Sequence, residues 1–465
     1  MEFVVTETGW HARRPTAPAV WMPPARHRAQ GTVLIVTMWI LLVLAGLVLV
    51  LARTMRATAD CSANEAAAVQ AAAIEQGAIQ YLLSSVDGLE GQTPSDADTP
   101  CEAVLVGDGG FWILRPGSDD DEGTYTYGIT DEASKVNLNT VPLGMLSMLP
   151  GMTSEFAASI VDWRDTNSEV TSGGAENEYY LLLPDPYECK NGDLETVEEL
   201  FLVRGVTQEI LVGQDTNRNG VIDPGESASP FSGTFSSTGS RLYRGIIHYV
   251  TVYGGEPAGG SLVNVNSPQS QALNDLLRNA VSSDRLPGVL DRVRRERPFR
   301  NVMDFYFKAG LTSDEFRQVA GKITTGAAKG LINVNTAPKD VLLCLPGLDE
   351  SDVSALLAQR PTADADRTSI AWVAGALSRE KAVAIGTYIT ARSYQFSADI
   401  VSVAASGRAF KRCRVVVDAS SSPPKVIYRQ SLTHLGWPLS PDIITNLRSG
   451  APLERLTQTV SRKVG

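Results

Sequence analysis

Hydrophobic positions along this chain follow three different patterns. From Thr32 to Ala52 the sequence reads TVLIVTMWILLVLAGLVLVLA with no charge, long enough for one helix to cross a hydrocarbon core, which takes about 20 apolar residues. Behind it, Ala-rich helical sequence runs through Asn64, Glu65, Ala66–Ala68 and Ala71–Ile74 to Leu83. Strand patterns come next at Phe111–Leu114 and Thr124–Ile129, and again much later at Tyr394–Val403, Phe410–Val417 and Lys425–Leu432. Between the two groups lie roughly 260 residues of mixed, mostly helical sequence. The segment from Trp437 carries Pro and Ser and is expected to be loosely attached.

The middle of the chain repeats itself. Residues 136–161 (VNLNTVPLGMLSMLPGMTSEFAASIV) align without gaps to residues 332–357 (INVNTAPKDVLLCLPGLDESDVSALL), and Val263-Asn264-Val265-Asn266-Ser267-Pro268 is a partial third copy. In each full copy Asn-x-Asn-Thr is expected to end a strand and cap a helix, with Pro142 or Pro338 in its first turn. Leu-Pro-Gly then breaks that helix and a second one follows, making a helix–hairpin–helix.

Such hairpins often bind DNA by aiming backbone amides at a phosphate. Here the turns carry Glu155, Glu350 and Asp352 instead of basic residues and lack a second glycine. The chain as a whole holds 41 Lys and Arg against 52 Asp and Glu, a net charge of −11. That balance argues against nucleic-acid binding, and the hairpins read as packing units. The Arg292–Arg300 basic run lacks aromatic residues until Phe299 and reads as a solvated helix face. No nucleophile elbow, Walker loop, H-E-x-x-H or dinucleotide fingerprint is present, so no enzyme is expected. Five scattered cysteines (Cys61, Cys101, Cys189, Cys344, Cys413) match no zinc or dithiol motif. An oxidising compartment would permit Cys61–Cys101 or Cys344–Cys413, and the sequence does not choose between them.

Twelve residues carry chemistry of their own. Residues 215–226 read DTNRNGVIDPGE. Against a twelve-residue calcium loop, Asp215, Asn217 and Asn219 fill positions 1, 3 and 5, and Gly220 supplies the turn. Val221 offers its carbonyl, Asp223 fills position 9 and Glu226 is the bidentate ligand at 12. Oxygen donors of this kind suit calcium over a transition metal. Val197–Val212 is expected to enter the loop as a helix, while Ser227–Ser240 is Ser/Gly-rich and offers no exiting helix. A second acidic cluster (Asp162, Asp165, Asn167, Glu169, Glu176, Glu178) is a further candidate cation site, equally explained as a solvated loop.

The N-terminal layout is also specific. Arg13, Arg14, Arg26 and Arg28 precede the apolar run and Arg53 and Arg56 follow it, which keeps the leader in the cytoplasm and sends the bulk across the membrane. The apolar core is too long for a cleavable signal peptide, and Asp60 before Cys61 does not fit a lipoprotein signal. With Gln30-Gly31 between the basic residues and the apolar run, it resembles the class III signal of pilins and pseudopilins, cut after Gly31 so that the mature chain begins at Thr32. The fifth mature position, usually Glu in such subunits, is Val36. That Glu neutralises a neighbour's N-terminal amine in a low-dielectric bundle, so its absence points to an initiating or tip subunit with no neighbour ahead of it, or else away from pilins altogether.

Taken together, the chain resembles the minor pseudopilin K family of bacterial type II secretion systems (general secretion pathway protein K). The resemblance is carried by the Gly31 junction, Asp131-Glu132 leading into Lys135–Thr140, Val161–Asp165, Gly173–Tyr180, Leu194–Leu200, Val203–Thr207, Tyr249–Gly254 and the second Asn-x-Asn-Thr copy. It implies an α+β fold: a long N-terminal transmembrane and stalk helix, then a pilin-type antiparallel sheet with a large, mostly helical insertion. The expected organisation is a leader at 1–31, helix at 32–85, early sheet at 86–130, inserted domain at 131–390, late strands at 391–436 and a tail at 437–465. The resemblance also implies calcium in the insertion and a single-pass inner-membrane protein with its bulk in the periplasm. Implied partners are prepilin peptidase, I- and J-type minor pseudopilins, the major pseudopilin filament, and secreted substrate or the outer-membrane secretin. The other reading is a membrane-anchored periplasmic hairpin protein that binds another ligand, such as DNA.

Overall fold

The computed structural model describes residues 30–117, 125–221, 223, 226, 245–255, 262–268, 270–326, 330–361 and 368–453. The leader ahead of Gln30, and Ser227–Ser240 after the loop, lie outside them. By internal contacts the chain forms two units, Met1–Ala63 and Asn64–Gly465. Helix α1 runs from Gln30 to Val86. In the first unit its apolar side chains from Val33 to Leu51 are all exposed, as a helix facing lipid requires. The Thr37, Thr54 and Thr58 hydroxyls fold back onto carbonyls one turn earlier, at 2.8–2.9 Å, so they spend their donors inside the helix. In the second unit Ala67, Ala71, Ile74, Ala78 and Leu82, spaced three or four apart, are buried.

Four short strands follow: β1 (Val104–Val106), β2 (Gly109–Arg115), β3 (Thr126–Tyr127) and β4 (Thr130–Asp131). There the chain leaves the sheet for three consecutive repeats. The first contains β5 (Val136–Asn137), α2 (Leu143–Leu146), α3 (Ser154–Arg164), α4 (Asn177–Tyr180), a 3-10 helix at Val197–Leu202, α5 (Gln208–Leu211) and β6 (Val250–Thr251). The helix expected over Val197–Val212 is thus two short pieces. Gly205, at φ +90°, breaks it, and Thr207 restarts it by accepting a hydrogen bond from the Ile210 N–H. The second repeat contains β7 (Val263–Asn264), α6 (Gln271–Ala280), α7 (Leu286–Glu296), α8 (Val302–Ala309), α9 (Ser313–Ala320) and β8 (Ile323–Thr324). The third contains β9 (Ile332–Asn333), α10 (Lys339–Leu343), α11 (Glu350–Ala358), α12 (Val373–Ala376), α13 (Arg379–Ile385) and β10 (Ile389–Thr390).

Each repeat closes on itself, because its first strand pairs in parallel with its last over two residues: β5 with β6, β7 with β8, β9 with β10. The partial copy at Val263–Pro268 is therefore the start of a complete repeat. The two asparagines divide the work. The first makes an Asx turn out of the strand: Asn137, Asn264 and Asn333 accept from the N–H two residues on at 2.8–3.0 Å. The second reaches across the repeat. Asn139 takes both backbone groups of Leu194 at 2.8 and 2.9 Å, Asn266 takes both of Phe299 at the same distances, and Asn335 accepts from the Trp372 indole at 3.0 Å. Neither asparagine caps the next helix, contrary to expectation. The N-caps of α2 and α10 are Pro142 and Pro338, without a side-chain cap bond. In both hairpins the break is as expected, with Gly151 and Gly347 at φ +73° and +78°. Arg164 donates to the Leu138 and Val141 carbonyls, and Arg360 to the corresponding Val334 and Ala337. One hydrophobic core runs through all three repeats, from Val136 to Ala391. Replacing Asn139 by alanine should cost about 2 kcal/mol in urea unfolding, since it strips both backbone groups of Leu194 of their partner.

The chain rejoins the sheet as β11 (Gln395–Val403), β12 (Phe410–Asp418) and β13 (Lys425–Ser431), and ends its described part with α14 (Pro441–Arg448). The strand order is β1-β2-β11-β12-β13, all antiparallel, with β4 beside β11. Alternation along the strands makes two faces. One, with Phe111, Ile113, Phe396, Ile400, Val415 and Val417, packs on Ile74, Ala78 and Leu82 of α1. The other, with Trp112, Leu114, Val401 and Val403, packs on Leu439, Leu447 and Leu453. The segment from Trp437 to Leu453 is thus firmly docked, which corrects the expectation of a loose tail. Trp437 meets Trp112 and Phe410 edge-on at centroid distances of 6.0 and 5.4 Å. Ser440-Pro441, which reads as loop in sequence, is the N-cap and first residue of α14.

A charged junction joins sheet and repeats. The fully buried Glu132 holds Lys135 at 2.6 Å and Arg414 of β12 at 3.4 Å, and accepts from the Thr251 and Ser397 hydroxyls. Burial pushes its carboxyl up, but Lys135 and Arg414 more than reverse this and hold it at about 2. Burial pulls Lys135 down, with Glu132 opposing it. Beside it, Asp131 accepts from Asn333 at 3.0 Å and Thr336 at 2.5 Å, tying the first repeat to the third. All five cysteines are free thiols, so neither permitted pair forms.

Candidate functional site

The described residues of the 215–226 loop, namely 215–221, 223 and 226, turn around Asp215. Asp215 is fully buried, and its carboxylate accepts from the N–H groups of Asn219 at 2.9 Å and Gly220 at 2.8 Å. Gly220 turns the chain at φ +84° and Arg218 adopts φ +57°, a left-handed conformation that a non-glycine residue holds only under local constraint. The Asn217 and Asn219 side-chain amides both donate to Asp223 Oδ2, at 2.6 and 3.0 Å. Glu226 accepts from Thr216 Oγ1 and the Asn217 N–H through one oxygen and from the Asp223 N–H through the other. Five of the six expected ligand side chains and carbonyls therefore share one hydrogen-bond network, and the Val221 N–H joins it through Asn219 Oδ1 at 2.8 Å. Burial raises the Asp215 carboxyl to about 6; the amides of Gly220 and Asn219 oppose this and Glu226 adds to it. A buried carboxylate with a second one nearby, ringed by amide oxygens, is a donor set that suits a hard divalent cation.

Sequence reasoning missed what holds the loop. Arg412 of β12 is fully buried and pairs with Asp399 of β11 at 2.6 and 2.9 Å. Its remaining N–H groups donate to the Asn217 and Arg218 carbonyls at 2.6 and 2.8 Å. Asn219 donates to the Pro438 carbonyl at 2.8 Å, and His248 Nε2 lies 3.8 Å from Asp215. In a strand Arg412 reads as one more alternating polar residue, so no local signal marks it.

The second acidic cluster is only partly assembled. Asp162 and Glu176 are buried, while Asn167, Glu169 and Glu178 are exposed. Asp162 accepts from the Thr171 N–H at 3.1 and 3.2 Å. A side chain at position 174 would collide with it, since a Cβ there would lie 2.0 Å from Asp162 Oδ2. Both carboxylate oxygens of Glu176 are buried without a hydrogen-bond partner. Burial, then the charges of Asp162 and Asp165, raise the Glu176 carboxyl. Asp165 and Asn167 are spent on turns, accepting from the N–H groups two residues on. Among the described residues no three carboxylate, imidazole or thiol side chains converge on a point as they stand. A cation at either place therefore needs amide and backbone oxygens as well.

At the N-terminus, Gly31 and Thr32 lie in the first turn of α1, and Val36 is exposed on it. This is the one described helix long and apolar enough to cross a membrane. Residues 142–212 and 332–387 match two family models, each described as Type II secretion system (T2SS), protein K. They fall on the first and third repeats, in order, at the hairpins that the sequence duplicates. Both stretches are thus similar to the type II secretion protein K family. The apolar helix fits a single-pass anchor with the bulk of the chain outside the membrane. A chain of the crystal structure of the GspK-GspI-GspJ complex from the enterotoxigenic Escherichia coli type 2 secretion system is also similar. It shares 14% identity over 81% of this chain and 98% of its own length, at a TM-score of 0.42. Comparison with curated proteins gives no match.

Proposed function

We propose that this chain is a minor pseudopilin, a non-enzymatic tip subunit of the type II secretion pseudopilus. Prepilin peptidase cuts after Gly31, residues 32–52 hold the chain in the inner membrane, and the sheet and repeats stand in the periplasm. There it joins minor pseudopilins of the I and J type, as GspK does in the complex named above, and initiates the filament. The observation that carries this reading is Val36. At the fifth mature position a subunit stacked below another needs an anionic partner for its neighbour's amine, whereas the first subunit has no such neighbour. The roughly 260 residues inserted between β4 and β11 add to it, since bulk of this size is most easily placed where nothing stacks above. From the tip the subunit presents a surface to secreted cargo or to the secretin.

The test is the mass and N-terminal residue of the membrane-extracted chain, made with and without prepilin peptidase. A start at Thr32 that depends on the enzyme is expected. An intact Met1, or a cut beyond Ala52, overturns the assignment of a pseudopilin signal to Gly31. Tip placement is read separately, by whether deleting this chain abolishes filament initiation when the other subunits are present.

We also propose that the 215–226 loop binds calcium through Asp215, Asn217, Asn219, Asp223, Glu226 and the Val221 carbonyl. The buried, unpartnered Glu176 beside Asp162 supports a second, weaker site. Calorimetric titration with calcium chloride should show saturable binding, and Asp215→Asn should abolish the tighter phase.

A further inference from the structure

Asn219 faces two ways. It is 3% exposed. Its Oδ1 turns into the loop, accepting from the Val221 N–H at 2.8 Å, while its Nδ2 donates to Asp223 at 3.0 Å and to the Pro438 carbonyl at 2.8 Å. Pro438 is 219 residues away in sequence and adjoins Trp437, whose ring is wedged against Trp112 and Phe410 on the sheet. Leu439 beside it is buried in the same layer. One amide therefore bridges the loop and the segment that covers a face of the sheet. Aspartate at this position would serve a cation at least as well, but only an amide offers an oxygen to one side and a donor to the other.

We infer that Asn219 couples occupancy of the loop to docking of the C-terminal segment Trp437–Arg448 on the sheet. The inference rests on the calcium reading of the loop. A cation that draws Oδ1 and the Asp223 carboxylate to itself fixes the Asn219 side chain with Nδ2 outward, toward Pro438. The carbonyls of Asn217 and Arg218, held by the buried Arg412, keep the loop backbone in place while this happens. Because coupling is reciprocal, loosening the segment must also weaken cation binding.

Hydrogen exchange read by mass spectrometry on the full chain in detergent micelles, with and without calcium chloride, tests this. In the wild-type chain calcium should slow exchange both in peptides covering 215–226 and in peptides covering 437–447. In Asn219→Asp, at a calcium concentration that calorimetry shows to saturate the variant, the protection of 437–447 should be lost. Protection confined to 215–226 in the wild type overturns the coupling and leaves the calcium loop standing. Protection of 437–447 that survives in Asn219→Asp overturns the route through Asn219. If calorimetry detects no calcium binding in the wild type, the calcium reading falls and the inference with it. A second variant guards against misfolding of the first: Trp437→Ala removes no proposed ligand and should weaken calcium binding about fivefold, a coupling of ordinary size. Unchanged affinity there also overturns the coupling.

Discussion

Glu132→Gln should lower stability by about 3–5 kcal/mol at neutral pH, the cost of leaving buried charge without its partner. Glu132 is the one carboxylate against which Lys135 and Arg414 are both set, and none of the three has more than marginal access to water except Arg414. Glutamine keeps the shape but accepts from only one of Ser397 and Thr251, which donate to different oxygens of Glu132, and it removes the charge. Lys135, already pulled down by burial, then gives up its proton more readily, which limits the loss. The pH dependence has a definite sign. With its carboxyl held at about 2, below the ordinary value of 4.5, Glu132 contributes stability that is complete above about pH 5 and is lost as pH falls toward 2. Urea melts of wild type and variant should therefore differ most at pH 7 and converge near pH 2. A gap that persists unchanged at pH 2 would assign the loss to packing.

Arg412→Leu should cost a similar amount, about 3–5 kcal/mol, for a different reason. It leaves the Asp399 carboxylate without its bidentate partner and the Asn217 and Arg218 carbonyls without donors. Arg412→Lys should recover little, since one ammonium cannot span a carboxylate and two carbonyls in the plane of the guanidinium. In the double variant Arg412→Leu with Asp399→Leu, the charge penalty is lifted and most of the loss should return. Thermal unfolding of the wild type, Arg412→Leu, Asp399→Leu and the double variant closes the cycle.

What the sequence displays depends on how local the physics is. The apolar helix, the paired Leu-Pro-Gly breaks and the loop at 215–226 are legible because each is specified within a dozen residues by hydropathy or by turn chemistry. The second repeat was visible only in its opening Val263–Pro268. Its α6 and α7 are ten and eleven residues long, and its own Leu286-Pro287-Gly288 opens α7 instead of ending a helix as in the other two. The role of the second asparagine in each copy was also hidden, because its partner lies 33 to 55 residues on. Arg412, Pro438 and the Trp437 docking are farther still. Asp131, Glu132 and Lys135 could be quoted as a pattern, but the reason for it, a buried junction between the repeats and two strands of the sheet, exists only once the chain is folded.

Strand β4 lies antiparallel beside β11, with Asp131 opposite Phe396. To the sheet, the whole three-repeat body is a hairpin connection, and the entropy of closing a connection grows only with the logarithm of its length, about 0.6 kcal/mol per doubling. Because every repeat also closes on itself through its own parallel bridge, a copy can be gained or lost without moving the two points where the chain leaves and re-enters the sheet. The size of the insertion is therefore nearly invisible to the scaffold that carries it. The insertion is free to lengthen or shorten without rebuilding the sheet.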